Sequence, residues 1–298
     1  MVEINKILEK INYHSFTGNR KLTIKSVIPI NEINNVSDAL SWCGDKNSHL
    51  LNDINTDSLV IVSNKNDNVS KLKNYLVVEN PRRAFQEVLT MFFSRERTPS
   101  VSKSAFLADN VKVGKNVFIG HNVVIEENCI IGDNTTILHN TTILSDTIIG
   151  SGVTIGSNNT IGGIGFGYEK NASGDFELIP HIGNVIIKNN VDIGNNTCID
   201  RAVLGSTVLE ENVKIDNLVH IAHGVVVGRN SVVIANAMVA GSVKIGEDSW
   251  IAPSSSILNK KEIGSNALVG MGAVVTKSVE DNTIVAGNPS RFIRSIGK

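Results

Sequence analysis

The stretch VKVGKNVFIGHNVVIEENCIIGDNTTILHNTTILSDTIIGSGVTIG, residues 111–156, places an aliphatic residue at every sixth position. A glycine often follows that residue and an asparagine comes soon after, and both tolerate the backbone conformations of tight corners. Eleven consecutive positions of the series are aliphatic: Val101, Leu107, Val113, Ile119, Ile125, Ile131, Ile137, Ile143, Ile149, Ile155 and Ile161. A period of six fits neither an α-helix face nor the alternation of a hairpin strand.

The same period returns after an interruption and then runs almost to the end of the chain. It resumes at Ile187, Ile193 and Ile199, slips by four residues near Arg201, and continues through Leu209, Ile215, Ile221, Val227, Val233, Val239, Ile245, Ile251, Ile257, Ile263, Val269 and Val275. Three such units make a triangular coil of about 18 residues, and stacked coils bury a continuous aliphatic column. The sequence therefore predicts a left-handed parallel β-helix built from hexapeptide repeats.

The period is absent from the first third of the chain. In that part SLVIVSN and NYLVVEN read as short buried strands, and NPRRAFQEVLTMFFSR reads as an amphipathic helix that Asn80 and Pro81 begin. We predict a small α/β domain over residues 1–98, the β-helix over 99–278 and a C-terminal tail over 279–298.

Composition excludes several classes of partner. The 298 residues carry a net charge of -1 and no long run of Lys or Arg, so neither a nucleic-acid surface nor a polybasic membrane patch is expected. The N-terminal residues lack the apolar stretch of a signal peptide, and no later stretch approaches a membrane span. We expect a cytoplasmic protein with three reduced cysteines and no metal site.

The candidate catalytic residues lie near the second interruption. His223 follows the inward-facing Ile221 by two residues, and a histidine titrates close enough to neutral pH to act as a general base. Gly241 comes one coil later, where its N–H would receive the charge of an oxyanion. Asp216 and Asn217 are expected to orient the imidazole or to bind substrate, while His220 either lines the same groove or faces solvent.

The first interruption, residues 162–184, is expected to leave the coil as a loop. Its glycines surround Phe166 and precede Tyr168, and these two aromatic side chains are candidates for lining a substrate or acyl pocket. The alternative is a surface loop without a binding role.

Four motifs give the chain a family resemblance: IGGIGFGY, IPHIGNVIIKNNVDIGNNTCIDRA, KIDNLVHIAHGVVVG and MVAGSVKIG. Together they resemble the UDP-3-O-(3-hydroxyacyl)glucosamine N-acyltransferases of lipid A biosynthesis. The resemblance implies a homotrimer with active sites between neighbouring β-helices, an acyl carrier protein thioester as donor, and a glucosamine 2-amine as acceptor. It also implies that His223 is the base, that Gly241 supplies the oxyanion amide, and that residues 1–98 bind the nucleotide.

Three stretches depart from the family pattern. A second family histidine that helps to place the donor is replaced in SILNKKEIG by Asn259, Lys260 and Lys261. The uracil-stacking Asn and Tyr have no match in LSWCGDKNSHL, where Trp42 is the candidate to stack on the base. The final stretch GMGAVVTKSVEDNTIVAGNPSRFIRSIGK resembles the end of coenzyme A-dependent sugar acetyltransferases.

These observations leave more than one function open. The leading prediction is an N-acyltransferase that moves an acyl group from a carrier thioester to a nucleotide-linked amino sugar. No covalently bound cofactor is expected; the co-substrate is an acyl carrier protein thioester or acyl-coenzyme A. The alternatives are a coenzyme A-dependent N-acetyltransferase for surface glycans and a non-catalytic β-helix scaffold.

Overall fold

A computed structural model describes residues 1–64, 69, 71–94 and 97–297. The chain divides into two compact units, Met1–Glu96 and Arg97–Lys298.

The N-terminal unit is a small α/β fold. Its five-stranded sheet has the order β2-β7-β6-β5-β4, in which only β2 runs antiparallel to its neighbour. All five residues of β6 are buried, as expected of a central parallel strand. The elements are β1 (Val2–Glu3), α1 (Ile4–Leu8), β2 (Ser15–Thr17), β3 (Thr23–Ile24), β4 (Ser26–Val27), β5 (Ala39–Cys43), β6 (Leu59–Ser63), β7 (Asn74–Val78) and α2 (Pro81–Val88).

Helix α2 begins where the sequence predicts. The Arg83 N–H donates to Oδ1 of Asn80 at 3.1 Å, and Pro81 occupies the first helical turn, where its missing N–H costs nothing. A π-helical turn, Leu89–Phe93, continues the helix, and 3₁₀ turns span Ile30–Glu32 and Asp45–Asp53. The cap and the helix are therefore both confirmed.

The second unit is a parallel β-helix, and most of its strands are two residues long because the chain turns after each aliphatic residue. In chain order they are β8 (Ser100–Val101), β9 (Phe106–Leu107), β10 (Lys112–Val113), β11 (Phe118–Ile119), β12 (Val124–Ile125), β13 (Ile130–Ile131), β14 (Thr136–Ile137), β15 (Thr142–Ile143), β16 (Ile148–Ile149), β17 (Thr154–Ile155), β18 (Thr160–Gly163), β19 (Tyr168–Lys170), β20 (Phe176–Leu178), β21 (Asn184–Ile187), β22 (Asp192–Ile193), β23 (Cys198–Asp200), β24 (Ser206–Leu209), β25 (Lys214–Ile215), β26 (His220–Ile221), β27 (Val226–Val227), β28 (Val232–Val233), β29 (Met238–Val239), β30 (Lys244–Ile245), β31 (Trp250–Ile251), β32 (Ser256–Ile257), β33 (Glu262–Ile263), β34 (Leu268–Val269), β35 (Val274–Val275), β36 (Thr283–Ala286) and β37 (Arg291–Ser295).

These strands form three long sheets around one aliphatic core. The sheets contain eight, nine and eleven strands, and successive coils pair in parallel with the repeated aliphatic residues in register. Ile119, Ile125, Ile221 and Val239 are fully buried members of that core. The hexapeptide-repeat β-helix predicted from the six-residue period is confirmed.

The two interruptions change the spacing of paired residues without breaking the stack. Across the first, Ile161 pairs with Ile199, and the intervening residues include the antiparallel hairpin β19–β20. Across the second, Ile199 pairs with Ile221. The coils on both sides of each interruption therefore remain stacked, and the extra residues project outward from the surface of the β-helix.

The end of the chain differs from the predicted tail. Strand β36 pairs in parallel with β34, and β37 folds back antiparallel on β36. Strands β36 and β37 therefore extend the eleven-stranded sheet, and Val285 continues the aliphatic column past the last regular repeat. Within the described ranges, no helix is both long and apolar enough to cross a lipid bilayer.

Candidate active site

A cavity of about 310 Å³ opens on the surface of the β-helix beside β26 and β29. Two histidines, a buried carboxylate, a corner glycine, an aromatic side chain and a lysine line it: His220, His223, Asp200, Gly241, Phe166 and Lys260. Ala222, Met238 and Ala240 supply apolar surface. A small concave site with a few converging polar groups is typical of a ligand-binding centre.

The coil holds His223 at a corner directly after β26. Ile221 points into the core, and the carbonyl of His223 accepts a hydrogen bond from the Ser242 N–H at 2.9 Å. Gly224 follows with φ +69°, and its N–H donates to Thr207 Oγ1 at 2.8 Å. The backbone on both sides of the half-buried imidazole is therefore fixed.

Gly241 lies directly beneath that imidazole. A Cβ atom at this position would come within 2.6 Å of both Cε1 and Nε2 of His223. Only glycine allows the ring to lie across the corner in this orientation. The pairing of His223 with Gly241, predicted from their spacing of one coil, places the ring against the backbone where the oxyanion amide is expected.

The N–H groups of these two residues differ from those at several equivalent corners. At those corners the N–H donates to a side chain one coil further on, as Lys115 does to Asp133 Oδ1 at 2.7 Å and Ser157 does to Asn195 Oδ1 at 2.7 Å. Gly241 has no side chain to receive the N–H of His223. Within the described part of the chain, neither the His223 N–H nor the Gly241 N–H has an acceptor. Two backbone donors thus remain available beside the base.

Asp200 is the buried negative charge of the site. It ends β23, is 8% exposed, and its Oδ2 lies 3.6 Å from Nε2 of His220. Burial raises the pKa of Asp200, whereas the positive charge of the neighbouring histidines lowers it. Burial also lowers the pKa of His223 below its ordinary value, helped by His181 and opposed by Asp200. His223 is therefore uncharged at neutral pH and able to accept a proton.

The first interruption forms one wall of the site. The Phe166 ring is 86% exposed and lies 5.0 Å from the Tyr168 ring, so both aromatic side chains sit at the entrance. His181, at the far end of the interruption, is buried with its ring 5.4 Å from that of His223, edge to face.

Arg201 links the two interruptions through hydrogen bonds. Its Nε donates to the Gly162 carbonyl and its Nη2 to the Ser145 carbonyl, each at 2.7 Å, and its backbone N–H donates to the Gly163 carbonyl at 2.8 Å. Asp200, the residue before it, is thereby held at the floor of the cavity. The four-residue slip thus has a structural purpose, because it provides the anchor for the loop that carries Phe166.

Of the predicted site residues of the β-helix, His220, His223, Gly241 and Phe166 line this cavity, whereas Tyr168, Asp216 and Asn217 do not. Asp216 and Asn217 occupy the corner between β25 and β26. Asp216 accepts hydrogen bonds from the N–H groups of Asn217 and Ala235 at 2.8 and 3.1 Å, and Asn217 accepts from the Asn195 N–H at 2.7 Å. Their oxygen atoms thus pair with backbone N–H groups of that corner, and the expectation that they orient the imidazole or bind substrate stays a prediction.

Trp42 belongs to the N-terminal unit and lines a separate cavity of about 430 Å³. Its ring lies 6.1 Å from that of Phe85 at a 33° angle, and Asn31 and Asn47 bring amide groups to the same cavity. An aromatic face with nearby amides suits a planar heterocycle.

Asp200 and His181 are the functional candidates that the sequence analysis missed. Asp200 stands inside a quoted family motif but carried no assignment, and His181 was treated as part of the loop. One sequence signal pointed to both: His181 lies inside the first interruption, and Asp200 directly precedes the second. Lys260 was noted only as a departure, and the structure places it at the cavity.

Comparison with known proteins agrees with this fold. A family model described as bacterial transferase hexapeptide (six repeats) matches residues 206–241, and one described as GMPPB C-terminal domain matches residues 96–170. A UDP-3-O-acylglucosamine N-acyltransferase of Campylobacter lari is 41% identical over 276 residues, which cover 88% of this chain and 86% of the relative. A protein of the same name from Caulobacter is 38% identical over 44% of this chain and 38% of its own length.

Solved structures resemble the fold at lower identity. A UDP-N-acetylglucosamine acyltransferase from Francisella novicida superimposes with a TM-score of 0.61 at 22% identity, covering 66% of this chain and 70% of that structure. The corresponding enzyme from Campylobacter jejuni gives a TM-score of 0.60 at 22% identity, covering 66% and 75%. At these identities the likeness extends to the β-helix fold alone.

Proposed function

The chain belongs to the family of UDP-3-O-acylglucosamine N-acyltransferases, and we propose that it transfers an acyl group from a carrier thioester to the 2-amine of a UDP-linked 3-O-acylglucosamine at the His223 cavity. The observation that carries the assignment of the site is the uncharged imidazole of His223 lying across Gly241 beside two unpaired backbone N–H groups. Acyl transfer to an amine requires this combination of a base and an oxyanion site.

The proposed reaction proceeds by addition and elimination at the thioester carbonyl. The amine nitrogen attacks the carbonyl carbon while His223 accepts one of its protons. The N–H of Gly241, with that of His223, donates to the oxygen that becomes negative. The tetrahedral intermediate then expels the thiolate, which takes the proton from the His223 imidazolium, leaving an amide and a free thiol.

Asp200 and Phe166 have supporting roles in this proposal. The Asp200 carboxylate is buried close enough to stabilise the imidazolium that His223 becomes during the reaction. Phe166, Ala222 and Met238 provide the apolar side of the cavity, where the first methylene groups of an acyl chain would lie. His220 reaches the Asp200 carboxylate and faces the cavity, so we propose that it contacts the sugar.

We propose that the N-terminal unit binds the nucleotide, with Trp42 stacking on the base. The support is its cavity of suitable size, lined by Trp42, Phe85 and two asparagine side chains. A planar base would stack on the aromatic face, and its polar edge would form hydrogen bonds with the amide groups.

We also propose that three copies of the chain assemble around the active sites. The support is the exposure of large apolar side chains on the β-helix, which include Phe166 at the cavity, Ile182 and Leu218. Exposed apolar side chains of this size are typical of a surface that another protein chain covers. Light scattering at low micromolar protein concentration tests the number of copies.

The donor is proposed to be a phosphopantetheine thioester, carried by acyl carrier protein or by coenzyme A. Free-thiol release is measured with both donor types, short and long acyl chains, and UDP- or dTDP-linked amino sugars, and mass spectrometry distinguishes amide from ester. Turnover with acyl carrier protein and a UDP-linked 3-O-acylglucosamine that is lost in His223→Ala supports the proposal. Turnover only with acetyl-coenzyme A would replace it with the acetyltransferase alternative, and nucleotide binding without thiol release would favour a scaffold.

A further inference from the structure

His181 has a buried polar atom that the fold does not satisfy. Its side chain is 6% exposed, and among the described residues its Nε2 is the only buried side-chain nitrogen or oxygen without a hydrogen-bond partner. Buried polar groups almost always have partners, since an unpaired one destabilises the folded state. A polar group that is tolerated in this condition calls for an explanation.

The other ring nitrogen fixes the orientation of His181. Nδ1 lies 2.7 Å from the Ile179 carbonyl oxygen, which only accepts hydrogen bonds, so Nδ1 carries a proton. In the neutral ring Nε2 is then a bare acceptor. The ring cannot turn over without losing this bond, and Nε2 is held on the opposite edge.

That edge lies among the groups of the catalytic site. A Cβ atom on Gly165 would lie 3.1 Å from His181 Nε2, 3.1 Å from Asp200 Oδ2 and 3.2 Å from His223 Cβ. A Cβ on Gly167 would lie 3.0 Å from His181 Cε1. The two glycines of the first interruption therefore leave the space that His181 occupies beside the base.

Resting on the proposed function, we propose that His181 is a positioning residue that keeps the imidazole of His223 in place and uncharged in the resting site. Its edge-to-face contact, with the rings 5.4 Å apart, covers one side of His223 and excludes water from it. A proton on His181 would also repel a proton on His223. Both effects favour the neutral form of the base, which is the form that accepts the amine proton.

Other charged groups around His223 also affect its pKa, and each comes from a different element than His181 does. Asp200 on β23 acts in the opposite direction, because its carboxylate raises the pKa of His223, and His220 on β26 lowers it. Lys260 lines the cavity two coils after His223. His181 comes from the first interruption, so a substitution there leaves the coil that carries His223 in place, and its one effect on these groups is to remove a positive charge that lowers the pKa of Asp200.

The test compares two replacements of His181. Asn carries an amide nitrogen near the position of Nδ1, so His181→Asn keeps the tether to Ile179 but removes the ring, whereas His181→Gln places an amide near Nε2. The pKa of His223 is measured by NMR on histidine-labelled protein, with the signal assigned by its loss in His223→Gln. His139→Asn is the matched control, because other corners of the coil already carry an asparagine whose oxygen accepts the neighbouring N–H.

We expect His181→Asn to raise the pKa of His223 and to shift the acid limb of kcat/KM to higher pH by the same amount. A rise of one unit lowers kcat/KM tenfold at a pH below both values. His181→Gln should show a smaller shift, and His139→Asn none. An unchanged His223 pKa in both His181 variants would overturn the proposal.

The NMR measurement needs no substrate, so it separates the two proposals. If no donor and sugar pair gives turnover, the proposed function fails while the pKa of His223 still decides the role of His181. If His181→Asn does not fold, His181→Gln alone provides the measurement.

Discussion

The sharpest prediction concerns Gly241→Ala. The structure gives the added methyl group two contacts of 2.6 Å, with Cε1 and Nε2 of His223. Carbon atoms in contact prefer separations of about 3.5–4.0 Å, so the imidazole must move by about 1 Å. Displacements of this size between reacting groups reduce rates by about 10²-fold. We therefore expect kcat of Gly241→Ala to fall by about 10²-fold although every catalytic functional group is still present.

The same change should have little effect on folding. The imidazole is half-buried and borders an open cavity, so it can swing outward without disturbing the core. We expect the free energy of unfolding to fall by no more than about 0.5 kcal/mol, which is the usual range for surface substitutions. Steady-state kinetics and thermal unfolding on the same preparations separate the two effects.

Gly163→Ala is the matched control. A Cβ at Gly163 would meet Thr160 Cγ2 at 3.5 Å and Asp200 Oδ1 at 4.0 Å, which are ordinary contacts. This variant should retain kcat within about twofold. If Gly241→Ala keeps wild-type kcat, or if both glycine variants lose activity equally, the reasoning that Gly241 is present to admit the His223 ring is refuted.

Three further predictions test other parts of the site. Asp200→Asn removes the carboxylate that raises the pKa of His223, so the acid limb of kcat/KM should move to lower pH while kcat falls by about 10- to 100-fold; a pH profile with an unmoved acid limb would contradict this role. Trp42→Ala should raise the KM for the nucleotide sugar by about tenfold with kcat unchanged, as measured by initial rates. Trp42→Phe should largely restore the KM. An equal rise of KM in the two variants would argue against stacking. Arg201→Gln removes two hydrogen bonds to backbone carbonyls, so the free energy of unfolding should fall by about 2 kcal/mol in urea titrations; an unchanged midpoint would mean that Arg201 does not anchor the loop.

The period of six predicted the β-helix and half of its site because the pattern itself encodes positions in space. Once Ile221 faces the core, His223 must fall at a corner, and Gly241 must lie at the same corner one coil further on. Stacking in register makes residues 18 apart neighbours throughout the regular coils. No information beyond the aliphatic positions was needed to bring this histidine and this glycine together.

The rest of the site could not be read from the same pattern. Across the first interruption the coil pairs residues 38 apart, such as Ile161 with Ile199, and across the second it pairs residues 22 apart. Which side chain of the excursion returns to the cavity depends on the path of the loop, so His181 was not identified. Asp216 is also close to His223 in sequence, but it occupies the preceding corner, between the eleven-stranded and nine-stranded sheets, and does not line the cavity.

The location of the site follows from how the corners of a solenoid pair their backbone N–H groups. At several regular corners the N–H donates to a side chain one coil further on, as in Lys115 and Ser157, so those donors are not available to a ligand. Gly241 removes the acceptor for the N–H of His223 and makes room for the imidazole in the same step. The loop that begins at Gly162 then covers the opened corner, and Arg201 holds its base in place. Two unpaired backbone donors therefore lie beside the imidazole at this corner, and the two irregularities in the repeat place a buried carboxylate next to them.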